Sequence, residues 1–411
     1  MKDTMRILFL SHYFPPEVNA PASRTYEHCR QWVKDGHEVT VVTCVPNHPQ
    51  GTVYEGYRNK LIQWENQDGI SVVRLWTYVT ANEGFLKRTV NYISFMVAAI
   101  LSVPFLPGYD ITLSTSPQFF NGLAGYVVSR LKRTPWILEI RDLWPDSIVA
   151  VGAITNRTII GLLEALELFA YRRADHIVVV TDSFKTTIQA KGIGKQKITV
   201  IKNGVDSSLY SRPTDNPASL AAQIGVEGEF VASYMGTHGM AHHLETVLEA
   251  AYALREWRDI VFLLVGSGAE RDRLLSMKDS MHLSNVVMLD QQPKTAMPHF
   301  WSLSNVSLIL LKKSELFKTV IPSKIFESMA MERPIILGVE GESRELLRCA
   351  EAGVSIEPEN AKELADQVLN LYQNPRRCQE LGSNGRKYVL ENFDRLVLAK
   401  RFADLMQIVC K

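Results

Sequence analysis

The sequence predicts an α/β protein built from two doubly wound parallel sheets, and three observations predict it. Strand-like runs alternate with helix-like runs from end to end. The alternation breaks once, around Asn203-Gly204-Val205-Asp206, and then starts afresh. The chain of 411 residues also exceeds what one hydrophobic core commonly serves. Repeated strand–helix units imply right-handed crossovers with helices on both faces of each sheet. Ligands of such sheets sit at the carboxyl ends of the strands, so the expected site is the crevice between two facing domains.

The elements follow in order. Arg6–Ser11 reads as the first strand. An amphipathic helix runs from Ala22 to Asp35 and stops at Gly36. Val39–Thr43 is the second strand. Leu61–Trp64 and Ser71–Leu75, separated by Asn66-Gln67-Asp68-Gly69, read as a hairpin. A helix from Phe85 to Val103 precedes the strand Asp110–Ser114. Strand Trp136–Ile140 pairs with helix Ile159–Arg173, and strand His176–Thr181 with helix Ser183–Lys191; Ile198–Ile201 closes the series. Asn203-Gly204 marks a turn, and the polar stretch Ser207 to Glu227 suits a linker. The second series has strands Phe230–Tyr234, Ile260–Val265, Val286–Leu289, Val306–Leu311 and Ile335–Leu337. Its helices end near Trp257 and span Glu270–Met277, Ala296–Ser302 and Ser323–Met331; further helices fill Ala361 to Cys410. The domains expected are residues 1–205 and 206–392, with a final helix, 393–411, packing back on the first.

Composition narrows the function. Hydrophobic residues make up 46%, a globular value. The formal net charge of +1 gives no overall field for recruiting nucleic acid, so no nucleic-acid partner is expected. Five scattered cysteines, with no Cys-x-x-Cys pair, argue against a zinc site or disulfide framework and suit a reducing cytoplasm. The histidines show no metal-ligand spacing, so neither metal nor other cofactor is expected. The apolar stretch Tyr92 to Leu106 is interrupted by Ser94, Ser102 and Pro104. Crossing a bilayer takes roughly 20 apolar residues, so no span is expected there.

The most informative stretch is Ile321-Pro322-Ser323-Lys324-Ile325-Phe326-Glu327. Pro322 suits the first position of a helix, where its missing N–H costs nothing. The free amides behind it suit a phosphate, Ser323 lies among them, and Lys324 adds a cation. Glu327, one turn on, can accept from two neighbouring hydroxyls, as on a ribose. Together they read as a nucleotide diphosphate site; the plainer reading is an amphipathic helix with a solvated Lys–Glu pair. A dinucleotide fingerprint is weakly supported. The first strand runs into Ser11–Asn19 without a glycine, and Gly266-Ser267-Gly268 is followed by Arg271 where a third glycine would fall. Gly266 and Gly268 still permit a tight turn and close approach of a ligand, or serve a purely structural turn.

These residues, taken in order, resemble a known family. Ile201–Asp206 at the junction, Tyr234-Met235-Gly236-Thr237-His238-Gly239, Leu264–Gly268 and Pro322–Glu327 resemble the retaining glycosyltransferases of the GT-B fold, in the large family four group. Arg141-Asp142-Leu143-Trp144-Pro145-Asp146-Ser147 and Pro15-Pro16-Glu17 resemble a narrower branch, the bacterial aminosugar transferases of O-antigen and capsule assembly. The resemblance implies a nucleotide-sugar donor on the C-terminal domain, an acceptor on the N-terminal domain, retention at the anomeric carbon and no catalytic metal. Glu327 maps onto the second acid of the family's Glu-x7-Glu motif. Thr319, beside Lys318 at the sugar position, replaces the first. The Arg and Lys that usually hold the diphosphate are Thr237 and His242 here.

Residue chemistry fills that gap with Lys324 as the diphosphate cation and His238 and His242 as hydrogen-bond donors. Gly236, Gly266 and Gly268 line the same place, and Asp290 stands where the family grips the base, with UDP expected. In the first domain Glu17 is a candidate catalytic or acceptor contact, or a solvated loop charge. Asn19 is expected to keep a left-handed turn. Arg141 is a candidate acceptor contact, since it stays protonated, and Asp142 a candidate proton acceptor; an Arg–Asp structural pair is the plainer reading. The helix Phe85–Leu106, with basic Lys87 and Arg88, reads as buried core or as an interfacial helix meeting a membrane or a polyprenyl-linked acceptor. The expected protein is a cytoplasmic enzyme, peripheral on the inner membrane face. It would move an aminosugar onto a glycan or lipid-linked glycan. A nucleotide-sugar epimerase and a non-catalytic sugar-nucleotide-binding protein remain open.

Overall fold

The computed structural model describes residues 4–48, 50–80, 85–150, 154–211 and 218–411. It divides into two compact units, Met1–Lys202 with Arg395–Lys411, and Asn203–Asp394.

Unit 1 runs β1 (Arg6–Leu10), α1 (Ala20–Lys34), β2 (Glu38–Cys44), β3 (Ile62–Gln67), β4 (Ile70–Leu75), α2 (Phe85–Leu101), β5 (Ile111–Thr115), α3 (Phe119–Lys132), β6 (Trp136–Ile140), α4 (Asp146–Ala150), α5 (Arg157–Arg173), β7 (His176–Val179), α6 (Asp182–Ala190) and β8 (Ile198–Val200). Its sheet has the order β3-β4-β2-β1-β5-β6-β7-β8, parallel except for the β3–β4 hairpin. Strand order reverses between β1 and β5, and that reversal marks the ligand edge. α3 and α4 are absent from the sequence reading. Within α3, Gly125 suggests a break but serves close packing. A Cβ there would lie 2.3 Å from the Ser114 hydroxyl oxygen and 2.7 Å from the Trp136 ring nitrogen. The glycine lets the helix settle on β5 and β6, where tertiary contact outweighs its low helix propensity.

Unit 2 begins at Asn203 and takes in the expected linker. Val205, Tyr210, Ala221 and Val226 are buried in its core, and α7 (Ala218–Ile224) lies among them, so the described residues of this stretch are a folded part of the unit. The elements continue as β9 (Phe230–Met235), α8 (Glu245–Ala253), β10 (Ile260–Val265), α9 (Arg271–Ser280), β11 (Val286–Leu289), α10 (Met297–Leu303), β12 (Val306–Leu310), α11 (Lys324–Ala330), β13 (Ile335–Gly338), α12 (Glu342–Ala350), β14 (Gly353–Ser355), α13 (Ala361–Gln373) and α14 (Pro375–Asn392). The sheet order is β11-β10-β9-β12-β13-β14, all parallel. Here the reversal falls between β9 and β12. The last helix, α15 (Arg395–Val409), belongs to unit 1. It packs on α1: the Trp32 indole donates to the Ala399 carbonyl at 2.9 Å, and Phe402 meets Trp32 edge-on at 5.4 Å.

Candidate functional site

At the unit 2 reversal, the loops after β9 and β10 lie backbone to backbone. His238 N–H donates to the Ser267 carbonyl and Glu270 N–H to the His238 carbonyl, both at 2.9 Å. A Cβ on Gly266 would lie 1.9 Å from the Gly236 carbonyl oxygen, and one on Gly268 2.5 Å from that of His238. Glycine at both positions is therefore required by this contact between loops, which assigns them the structural role.

α11 follows β12 and brings Lys324 over the same loops. Its ammonium lies 3.8 Å from the centre of the Tyr234 ring, and a Cβ on Gly236 would sit 2.9 Å from it. The Nζ atom is buried and has no hydrogen-bond partner among the described residues. Burial pushes its pKa down to about 7, against a smaller opposing pull from Glu327. A cation held on an aromatic face without an anion gains where a ligand supplies one.

Two histidines flank it. His238 is fully buried, and neither ring nitrogen finds a partner among the described residues. Burial, with the charges of Arg271 and Lys324, lowers its pKa to about 4. His242 packs against Tyr234 at 5.8 Å, and burial and Lys324 lower it to about 3. Both rings are neutral near pH 7, so they offer hydrogen bonds and no charge. The second cation is Arg271, which the sequence presents only as an interruption of the glycine pattern. Its Nη2 pairs with Asp290 at 2.7 Å while its buried Nε has no partner. Arg271 and Tyr234 are the members of this site that sequence reasoning misses, because only the fold brings them beside His238 and Lys324.

Other expected donor contacts are placed differently. Pro322 stands two residues before α11 rather than in its first turn. The Ile325 and Phe326 amides donate back to the Pro322 and Ser323 carbonyls at 3.1 Å, so those two do not face outward. The amide cradle narrows accordingly, and the Lys324 ammonium becomes the main anion-seeking group. Ser323 and Glu327 are half-buried at this end, and Thr237 is exposed. Thr319 donates its hydroxyl to the Leu316 carbonyl at 2.7 Å, and Lys318 pairs with Glu315 and Glu340, so both are engaged within their own loops.

In unit 1 several expectations are corrected. Glu17 is buried, and its Oε1 accepts the Asn47 and His48 amides at 2.9 Å each. Burial raises its pKa, partly offset by those bonds. It braces a loop instead of standing as a solvated charge or an open catalytic acid. Asn19 has φ −149°, extended rather than left-handed; it caps α1 by accepting the Ala22 amide at 2.8 Å. Arg141 donates to the Pro21 and Ala20 carbonyls at 3.2 and 3.1 Å, while Asp142 accepts from the Ser147 hydroxyl at 3.2 Å. Burial lowers Arg141 to about 9, still charged, and raises Asp142. The two side chains thus serve different partners. Arg88 turns inward to Tyr92, leaving Lys87 as the exposed cation at the start of α2. Among the described residues, no three His, Cys, Asp or Glu side chains gather in a way that could hold a metal ion.

Two doubly wound parallel-sheet units in one chain, one with a buried unpaired cation after its first strand, match the architecture of the GT-B glycosyltransferases. Sequence comparison agrees. Residues 19–204 match the glycosyl transferase 4-like domain and residues 219–388 the glycosyl transferases group 1. The chain belongs to the family four glycosyltransferases. It is 23% identical over 410 residues to an Escherichia coli (strain K12) protein named as a colanic acid biosynthesis glycosyl transferase, WcaI, covering 97% of this chain and 98% of that one. It is 26% identical over 201 residues to TuaH of Bacillus subtilis (strain 168), named for teichuronic acid biosynthesis, covering 49% of each. The fold matches Anabaena HepE in complex with UDP-glucose with a TM-score of 0.72 at 17% identity, over 98% of this chain and 99% of that one.

Proposed function

We propose that this glycosyltransferase moves a sugar from a UDP-linked donor to a glycan or lipid-linked glycan acceptor in surface polysaccharide biosynthesis, with retention and without a metal. The observation that carries the donor half is the buried Lys324 ammonium, lacking an anion and set beside neutral His238 and His242 and the Arg271 guanidinium. UDP is favoured by the complexes of HepE, and surface polysaccharide by the names of WcaI and TuaH. A deoxy or N-acetylated aminosugar fits the loss of a carboxylate at Thr319, since such a sugar has fewer free hydroxyls to bind.

The bond between the anomeric carbon and the diphosphate oxygen breaks, and its electron pair stays on the leaving phosphate. The acceptor hydroxyl forms the new glycosidic bond on the same face, and its proton passes to that phosphate. Lys324 and the neighbouring donors stabilise the charge where it develops. In this reading unit 2 holds the donor and unit 1 the acceptor. Among the described residues no helix is long and apolar enough to cross a membrane. α2 does expose Val90, Ile93, Val97 and Leu101, with Lys87 at its start, which suits peripheral contact with the cytoplasmic face.

The test incubates purified protein with a panel of UDP- and GDP-sugars, with and without lipid-linked acceptor, in EDTA. Acceptor-dependent transfer with retained configuration supports the proposal. Isomerisation without acceptor would make the protein an epimerase, and binding without turnover a sugar-nucleotide-binding protein. Loss of turnover in EDTA, restored by a divalent ion, would reject the metal-free mechanism. Co-sedimentation with anionic vesicles, weakened by Val97→Asp, checks the peripheral contact.

A further inference from the structure

Three buried arginines of unit 1 are neutralised by carboxylates close at hand. Arg24 pairs with Glu139 at 2.9 Å, Arg74 with Glu65 at 2.7 Å, and Arg395 with Glu27 at 2.6 Å. Arg88 departs from this pattern. It lies in the first turn of α2 and is half-buried, and among the described residues no carboxylate pairs with it. Its Nη2 donates to the Tyr92 hydroxyl at 3.2 Å, the guanidinium stands 5.8 Å from the centre of that ring, and its buried Nε has no partner.

The groups around Arg88 form a hydrogen-bonded chain. Tyr92 accepts from Arg88, and its hydroxyl lies 3.3 Å from that of Tyr13, where either oxygen can be the donor. With Tyr92 donating, the Tyr13 proton is left for a further acceptor and is polarised by the cation behind it. The His48 ring meets Tyr13 edge-on at 5.2 Å and feels the Arg88 charge. Glu17 holds the loop bearing His48 by accepting its amide, so this carboxylate is spent on that loop. Tyr13 follows β1 and His48 follows β2, which puts the cluster at the strand ends where ligands of such sheets bind.

We propose that Arg88, Tyr13 and His48 form a subsite for one oxyanion of the acceptor, either the carboxylate of an acidic sugar or the phosphate of a lipid carrier. The assignment rests on the reading that unit 1 receives the acceptor. A neutral hydroxyl would leave the guanidinium without a counter-ion, whereas an oxyanion completes it through charge-assisted hydrogen bonds.

The experiment uses full-length protein with isotopically labelled histidine, saturated with UDP so that the donor site is filled. Glucuronate, inorganic phosphate and glucose are titrated while the His48 ring signals are followed by NMR, with His48→Asn giving the assignment. The expected result is a saturable shift with at least one anion and none with glucose. Affinity should fall about tenfold in Arg88→Gln and recover in part in Arg88→Lys, with UDP affinity unchanged in both as the check on folding. A response to glucuronate alone identifies an acidic sugar, and one to phosphate alone identifies the carrier. No shift with either anion, or the same shift in Arg88→Gln, overturns the subsite while leaving the transfer reaction standing. An intact anion response in a protein that transfers to no acceptor overturns the transferase reading and keeps the subsite.

Discussion

At the reversal of strand order in unit 1 the buried Arg24 charge meets its carboxylate; at the corresponding reversal in unit 2 the Lys324 charge meets no hydrogen-bond partner among the described residues. In unit 1 the Arg24 guanidinium meets Glu139 and the carbonyls of Ile201 and Lys202, each at 2.9 Å. Glu139 also accepts the Thr115 hydroxyl at 2.6 Å, and the Asn121 amide ties the Leu10 and Thr115 carbonyls together. In unit 2 Lys324 Nζ, both ring nitrogens of His238 and Arg271 Nε have no hydrogen-bond partner among the described residues. One winding of helices around a parallel sheet thus gives two kinds of buried charge. The paired kind holds the shape; the unpaired kind is held ready for something that arrives.

Deleting one charge from each unit breaks the comparison most directly. Glu139→Ala leaves Arg24 buried without its carboxylate, and unit 1 should lose about 3–5 kcal/mol, read from denaturant unfolding. Lys324→Met breaks no hydrogen bond of the Nζ atom among the described residues. Its melting temperature should hold or rise, while kcat/KM for the donor falls roughly a hundredfold. Equal losses of stability in the two variants would erase the distinction.

A pH series sharpens it. Lys324 is depressed from 10.5 to about 7, so between those values the unfolded chain binds its proton more tightly than the folded one. Stability attributable to this group therefore rises with pH across that window, and Lys324→Met should abolish the rise. Bound diphosphate restores the charge, so UDP binding takes up a proton above pH 7, and affinity should drop about tenfold per pH unit there. Calorimetry in buffers of different ionisation heat counts that proton. His238 and His242, at about 4 and 3, stay neutral throughout and do not contribute.

The smallest effects separate the two halves of the Arg271 contact. Arg271→Ala should weaken UDP binding about tenfold, the value of one charge-assisted contact. Asp290→Asn touches an exposed carboxylate, 84% accessible, and should change affinity by less than about fivefold. Fluorescence or calorimetric titration with UDP distinguishes them.

Much of this architecture was legible in the residues themselves. The apolar runs of β1, β10 and β12 are long enough to read as buried strands, and Asp68-Gly69 marks the β3–β4 turn. Helix α3 was not legible, because Gly122 and Gly125 lower its helix propensity and only the fold shows Leu138 beneath the first and Ser114 and Trp136 beneath the second. Lys324 was legible as a cation after a strand, but its lack of a partner is a property of three dimensions. Glu17 shows the reverse case: a charge in a Pro-rich loop reads as solvated, yet the loop folds two amides onto it. Arg271 had a sequence signal, the interruption of a glycine pattern, that pointed away from its place beside His238.

The return of α15 to unit 1 has a consequence for synthesis. The ribosome makes all of unit 2 before it makes the helix that covers Trp32. The half of the protein that emerges first therefore waits with an open apolar seat, and the half that emerges second can finish ahead of it. Nascent chains stalled before Arg395 should keep that seat available to chaperones, and release of the last turns should close it.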